Sequence, residues 1–234
     1  MAPDADPETA QFVTRQSARL RPVSWSLVIP VKVLAQAKSR LTGIAGQRRS
    51  ELALAMAADT IAVAVSARSV GAVLVVTDDP VVSDIAVGLG ALVLPDAPAA
   101  GLNDALAYGA AHSEAIWPER GRAALAGDLP AAQPEEITAA LEAAARLGAA
   151  FVPDADGTGT VLYAAAPGSQ FRPRFGPESR ERHLASGAAE LDASRFAGLR
   201  RDVDTIADLR LAAEIGLGPR TRALLAADAS IVLP

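Results

Sequence analysis

A short apolar run that stops at an aspartate and gives way to a proline-opened helix constrains this chain more than any other stretch. Ala123-Ala124-Leu125-Ala126 is too short for a helix and reads as a buried strand. Gly127-Asp128-Leu129-Pro130 follows, and Pro134-Glu135-Glu136-Ile137 opens a helical pattern. In open α/β sheets ligands bind at the carboxyl ends of the strands, so Asp128 is placed to hold a divalent cation. Asp202-Val203-Asp204-Thr205 repeats the arrangement after Gly198-Leu199-Arg200-Arg201. If that stretch is extended, both carboxylates share one side and Val203 takes the other. Three carboxylates from two strand ends make a hard oxygen site, suited to Mg²⁺. The same aspartates also suit turns and helix caps.

The first two thirds of the chain repeats this strand–helix unit. Strands are expected at 25–30, 72–76, 91–94 and 123–126, and helices at 48–66, 81–89, 101–113 and 134–147. Gly148 stands at the C-cap position of the last helix. Near-continuous apolar runs such as Ala72-Val73-Leu74-Val75-Val76 belong in a sheet buried on both faces. The fold class is α/β, Rossmann-like, with a mostly parallel central sheet. Beyond Gly148 the pattern changes. Strands at 150–153 and 160–164 flank the Gly-rich turn Asp154-Ala155-Asp156-Gly157-Thr158-Gly159. A basic loop from Arg172 feeds a helix from about Glu178 to Ser186, and helices at 205–215 and 219–227 end the chain. Residues 1–23 are polar and aperiodic and read as a disordered tail, leaving 24–234 as a single domain.

Composition narrows the chemistry. A net charge of −5 argues against nucleic acid as the main partner. With no Cys, thiolate nucleophiles, thiolate metal sites and disulfides are excluded. His112 and His183 are the only histidines and cannot build a zinc site unaided. No apolar run reaches the roughly 20 residues of a membrane span, and no apolar signal segment opens the chain; a soluble cytoplasmic protein is expected. Lys and Arg total 22, yet only Lys32 and Lys38 are Lys, and both fall in one loop after the first strand. That loop, with Ser39 and Arg40, could hold a nucleotide triphosphate through compact ammonium groups and backbone N–H groups. It lacks Walker A spacing, and a solvated basic loop is the competing reading.

Three further stretches could hold anions or a base. Asp156-Gly157-Thr158-Gly159-Thr160 offers hydroxyls and free N–H groups, although a hairpin also needs Gly. Arg174-Phe175-Gly176-Pro177-Glu178-Ser179 could form a second cradle where a helix starts. Asn103, in Leu102-Asn103-Asp104, could read a base edge or cap a helix. His183, beside Arg182, reads as a surface helix residue. No Ser/His/Asp triad suggests itself. None is needed where an ionised phosphate attacks a nucleotide α-phosphorus, since alignment and charge neutralisation suffice.

The ordered set Val31-Lys32…Ala37-Lys38-Ser39-Arg40-Leu41, Gly127-Asp128-Leu129-Pro130, Gly157-Thr158-Gly159-Thr160, Arg174-Phe175-Gly176-Pro177 with Ser179, and Asp202-Val203-Asp204-Thr205 resembles the phosphoenolpyruvate/2-phospho-L-lactate guanylyltransferase family of coenzyme F-420 biosynthesis. The resemblance runs from about Ser26 to Gly218. It implies a nucleotidyltransferase fold of the glycosyltransferase-A type, with GTP and phosphoenolpyruvate as substrates. It also implies Mg²⁺ on Asp128, Asp202 and Asp204, and phosphoenolpyruvate on Thr160, Gly176 and Ser179. Lys32, Lys38, Ser39, Arg40 and Asn103 are the candidate nucleotide contacts, with Lys38 and Asp128 catalytic. Rival acceptors are 2-phospho-L-lactate, 3-phosphoglycerate, a sugar phosphate or a molybdenum cofactor. A non-catalytic Rossmann-like binding module is a rival of another class, opposed by the cost of gathering three acids beside a lysine loop without a cation.

Overall fold

The computed structural model describes residues 24–34, 41, 46–97 and 99–227. The expected tail 1–23 lies outside the described residues, as do Lys38, Ser39 and Arg40. Four strands, β1 (Trp25–Pro30), β2 (Val70–Val76), β3 (Leu92–Leu94) and β4 (Gly121–Leu125), alternate with helices α1 (Gly46–Ser66), α2 (Pro80–Gly88) and α3 (Leu102–Ile116). All their pairings are parallel. After α4 (Pro134–Leu147), β5 (Ala149–Pro153) and β6 (Thr160–Ala165) form an antiparallel pair. With a short β7 (Ala189–Glu190), the sheet order is β3-β2-β1-β4-β6-β5-β7. Element boundaries lie within two residues of those expected, except that α3 runs three residues further, to Ile116.

The order matters more than the count. The chain lays β2 and β3 on one side of β1 and then returns to place β4 on the other. The carboxyl ends of β1 and β4 therefore border the crevice of a topological switch point. β6 is antiparallel to both β4 and β5, so the 154–159 turn sits at the same edge as the carboxyl end of β4. Gly127 reflects the crowding there: a Cβ on it would come 3.2 Å from the Pro30 carbonyl oxygen and 3.4 Å from Val31.

Period-two alternation assigns the two faces of the sheet. Leu27, Ile29, Val73, Val75, Ala123 and Leu125 pack with Ile61 of α1 and Ile137 and Leu141 of α4. Val28, Leu74, Val76 and Ala124 pack with Ala105, Leu106 and Ala110 of α3 and with Phe151 and Tyr163. With so few aromatic residues, Ala fills much of the interior, and helices approach the sheet closely. A third cluster joins Leu52 and Met56 of α1 to Ala131, Val203, and Leu209 and Ala212 of α6 (Ile206–Ile215). The last helix, α7 (Pro219–Ala227), is anchored on α1 by Asp59, which accepts from Arg220 N and Thr221 N at 3.1 and 2.8 Å.

Two elements escaped the sequence pattern. β7 is only Ala189–Glu190, paired parallel to β5, and Ala193–Arg195 is a single 3₁₀ turn. Residues 202–204 are a correction: they form an irregular segment, not a strand end. Its place is set by Val203, which is buried in the third cluster and donates its N–H to the Asp128 carbonyl at 3.2 Å. No described helix is long and apolar enough to cross a membrane.

Candidate active site

The crevice opens into a cleft of about 880 Å³. Lys32, Gly127, Asp128, Asp154, Thr158, Gly159, Thr160, Gly176, Ser179, Asp202 and Asp204 all line it. Residues from β1, β4, the β5–β6 turn and the loop before α5 (Ser179–Ala185) thus meet in one place. Lys38, Ser39 and Arg40 lie outside the described residues.

The turn that carries Asp128 is tied from three sides. Leu129 N donates to Thr60 Oγ1 of α1 at 3.0 Å, Gly218 N donates to the Pro130 carbonyl at 2.7 Å, and the Asp128 carbonyl receives Val203 N. Glu136 adds a fourth tie. In the first turn of α4, its carboxylate accepts from Gln133 N, Gly198 N and Leu199 N, each at 2.9 Å. One side chain therefore caps α4 and positions the segment leading to Asp202. Burial raises the Glu136 carboxyl above its usual range, against the pull of these N–H groups. At the far end, Asp208 accepts from Asp204 N at 3.2 Å and Thr205 N at 2.8 Å, which starts α6.

Four carboxylates crowd this end of the cleft. Asp202 is pushed up to about 7, first by burial and then by the charges of Asp128, Asp154 and Asp204. Gathered oxygen donors that repel one another are what a divalent cation relieves. Among the described residues no three acidic or imidazole groups are arranged as a ready-made metal cage. Mg²⁺ does not require one, because it keeps waters and is commonly shared between one or two carboxylates and substrate phosphates. The donor set therefore fits that ion.

The Gly-rich turn is organised differently from the expectation. Asp154 accepts from Thr158 N at 2.9 Å and Gly159 N at 2.8 Å, so those N–H groups are spent inside the turn and are not free for an anion. Arg200 grips the same turn from outside, donating to the carbonyls of Pro153 and Asp154. Thr160, the first residue of β6, lines the cleft beside Asp154, Thr158 and Gly159 of the turn. Opposite it, Gly176 sits at φ 109, a conformation Gly alone adopts readily, and Glu178 is left-handed at φ 55. A left-handed non-glycine residue costs on the order of 1 kcal/mol and tends to cluster at functional sites. Ser179 is buried and lines the cleft.

Asn103 is a second departure. Its amide oxygen accepts from Phe175 N at 2.8 Å, and its amide nitrogen donates to the Phe175 carbonyl at 3.0 Å. Through these two bonds it clamps the 174–178 loop, beside Gly101, Leu102 and Ala105, which line the cleft. Asp79, unremarked in the sequence, caps α2 through Val81 N and also accepts from Leu34 N at 2.9 Å. It thereby anchors the lysine loop just after Lys32.

His183 is a third. It is fully buried, stacked on Tyr163 at 4.7 Å and Phe151 at 5.5 Å, with the Phe175 edge at 5.6 Å. Nδ1 lies 2.9 Å from Thr160 Oγ1, and Nε2 accepts from Arg174 N at 3.0 Å. Helical spacing from Ser179 could have placed it on the inward face of α5. Burial lowers its pKa to about 4, with Arg174 and Arg182 adding to the depression and the Ser179 carbonyl opposing it. The folded state thus favours neutral imidazole. The stability this contributes is complete above pH 6.5 and drains away as pH falls toward 4, at up to about 1.4 kcal/mol per pH unit. Asp202, raised to about 7, titrates across the same window with the opposite sign, so the His183 contribution is read as the difference in urea-unfolding slope between wild type and His183→Phe from pH 7 to 4.5. Identical slopes in both proteins would show that the imidazole is not held neutral.

The comparisons with known proteins agree with this geometry. A family model described as "Guanylyl transferase CofC like" matches residues 25–215. The phosphoenolpyruvate guanylyltransferase of Thermomonospora curvata is 53% identical over 204 residues, covering 87% of this chain and 90% of that protein. The phosphoenolpyruvate guanylyltransferase of Streptomyces avermitilis is 50% identical over 213 residues, covering 91% and 97%. Among solved structures, a candidate nucleotide-diphospho-sugar transferase from Desulfovibrio desulfuricans superposes with a TM-score of 0.64 at 16% identity, covering 88% of this chain and 96% of that one. A cytidylyltransferase from Leptospira borgpetersenii does so at 0.55 and 13%, covering 90% and 97%. The structural likenesses speak for the nucleotidyltransferase fold alone; the sequence matches go further, and with them the chain belongs to the CofC-like guanylyl transferase family.

Proposed function

We propose that this cleft transfers GMP from GTP to phosphoenolpyruvate, giving enolpyruvoyl-2-diphospho-5'-guanosine and pyrophosphate, as a step in coenzyme F-420 biosynthesis. The observation that carries the reading is the pairing, on one cleft, of a carboxylate cluster at the switch point with hydroxyl donors facing it. The relatives with that printed activity match over about nine tenths of the chain. The single domain 24–234 would hold both half-sites.

Each residue then has a task. Lys32, with Lys38 and Arg40, counters the charge of the triphosphate, and Ser39 offers it a hydroxyl donor. Asp128, Asp202 and Asp204 would hold Mg²⁺, which supplies further neutralisation at the phosphates when bound. The Thr160 and Ser179 hydroxyls and the Gly176 backbone hold the acceptor. An oxygen of the acceptor phosphate is already ionised and needs no base. It bonds the α-phosphorus as the bond from that phosphorus to the bridging oxygen breaks, and pyrophosphate leaves.

Mass spectrometry of products from GTP, Mg²⁺ and a mixture of phosphoenolpyruvate, 2-phospho-L-lactate and 3-phosphoglycerate tests the reading. The enolpyruvoyl product should dominate; a dominant phospholactate or phosphoglycerate adduct replaces the acceptor, and no guanylylated product sinks the activity. Ser179→Ala should raise the KM for phosphoenolpyruvate about tenfold while leaving that for GTP within about twofold, because it removes one donor to an anion. A larger rise for GTP would put Ser179 in the other half-site.

A further inference from the structure

Among the described residues no hydrogen bond or ring contact joins His183 to the carboxylate cluster or to Lys32, and nothing in the transfer chemistry calls for an imidazole. Its surroundings nevertheless specify its proton. A backbone N–H has a fixed hydrogen, so Arg174 N donating to Nε2 at 3.0 Å requires a lone pair on that nitrogen. In the neutral ring the proton must then sit on Nδ1. Nδ1 lies 2.9 Å from Thr160 Oγ1, and the Ser179 carbonyl, one turn back, also favours a ring N–H. An Nδ1–H donor makes the Thr160 oxygen an acceptor there. Thr160 Oγ1 has no other protein partner among the described residues, and Thr160 lines the cleft. Its own proton is therefore not committed to a protein acceptor among the described residues. The rings of Tyr163 and Phe151, paired across β5 and β6, stack on the imidazole.

We propose that His183 is a positioning residue of the acceptor half-site: its Nδ1–H tautomer turns the Thr160 hydroxyl into a donor aimed at the acceptor anion, while its Nε2 pins the Arg174 amide and so the loop that carries Gly176. The inference rests on the reading of Thr160 as an acceptor contact. It assigns a role to a buried group that does not itself touch substrate.

Three measurements separate the possibilities. Thr160→Val removes the hydroxyl and keeps the shape. It should raise the KM for phosphoenolpyruvate about ten- to a hundredfold and leave that for GTP within about twofold. His183→Phe keeps the stacking and loses both bonds, and should raise the same KM by a similar factor. The double variant should rise by less than the product of the two, because His183 acts partly through Thr160. An unchanged KM in Thr160→Val overturns the acceptor reading itself. A raised KM there with an unchanged KM in His183→Phe, or effects that multiply in full, overturns only the inference. Nitrogen-15 NMR of the wild-type protein decides the matter even if His183→Phe does not fold. With two histidines in the chain, His112→Gln assigns the spectrum. At pH 7.5 the His183 Nδ1 should carry the proton and Nε2 should be the unprotonated nitrogen. The reverse tautomer overturns the proposal.

Discussion

Asp128→Asn is expected to abolish GMP transfer, by roughly a thousandfold or more in kcat, while the protein stays folded. The turn around Asp128 is held by Thr60, by Gly218 and by its own carbonyl to Val203, and those bonds do not depend on the carboxylate charge. Asp202→Asn should lose activity on the same scale, yet raise the thermal midpoint of the metal-free protein. Asp202 is buried beside Asp128, Asp154 and Asp204, so removing its charge removes repulsion. A structural aspartate would behave in the opposite way, losing stability and sparing turnover. The measurement is kcat at saturating GTP, phosphoenolpyruvate and Mg²⁺, paired with thermal melting without Mg²⁺. Near-normal turnover of Asp128→Asn at limiting Mg²⁺ would sink the metal assignment.

Glu136→Ala should have the second largest effect, and on stability as well as rate. The carboxylate accepts three backbone N–H groups, from Gln133, Gly198 and Leu199. Leaving them without an acceptor costs on the order of 3 kcal/mol, since water can reach part of the site. Two of those groups lie on the segment that leads to Asp202 and Asp204, so the loss should also loosen the carboxylate cluster and lower kcat by about tenfold, the scale expected for displaced charged groups. Glu136→Gln keeps one acceptor oxygen and should fall between the two. Denaturant unfolding and steady-state kinetics on the same preparations measure both. Wild-type kcat in a destabilised Glu136→Ala would mean that Val203 packing and its bond to the Asp128 carbonyl place the segment unaided.

The contrast between Asp128 and Asn103 shows what kind of information a linear pattern carries. Asp128 follows a short apolar run and precedes a Pro-opened helix. Strand-end position, and with it a place in the cleft, follows from local periodicity and turn chemistry. Asn103 sits equally well for a base contact, but its partner is Phe175, 72 residues away, and no local pattern announces that bond. The Gly-rich turn teaches the same lesson at shorter range. Its composition suggested free N–H groups, and the Asp154 side chain, folded back over the turn, consumes them.

Local periodicity and punctuation determined the α/β class, the order of the main elements, the strand-end position of Asp128 and the helix starts at Pro134 and Pro219, because each depends on residues within a few positions of one another. Tertiary structure alone decided the rest. The insertion of β6 between β4 and β5 brought Thr160 to the edge where Asp128 lies. The packing of Val203 against Leu52, Met56 and Leu209 placed an irregular segment where a strand was expected. Burial turned His183 from an apparent surface residue into a neutral ring bonded to Thr160, since the three aromatic side chains around it come from three separate stretches of chain. Contacts of that kind are settled by which surfaces exclude water together, a property of the assembled fold and not of any single stretch.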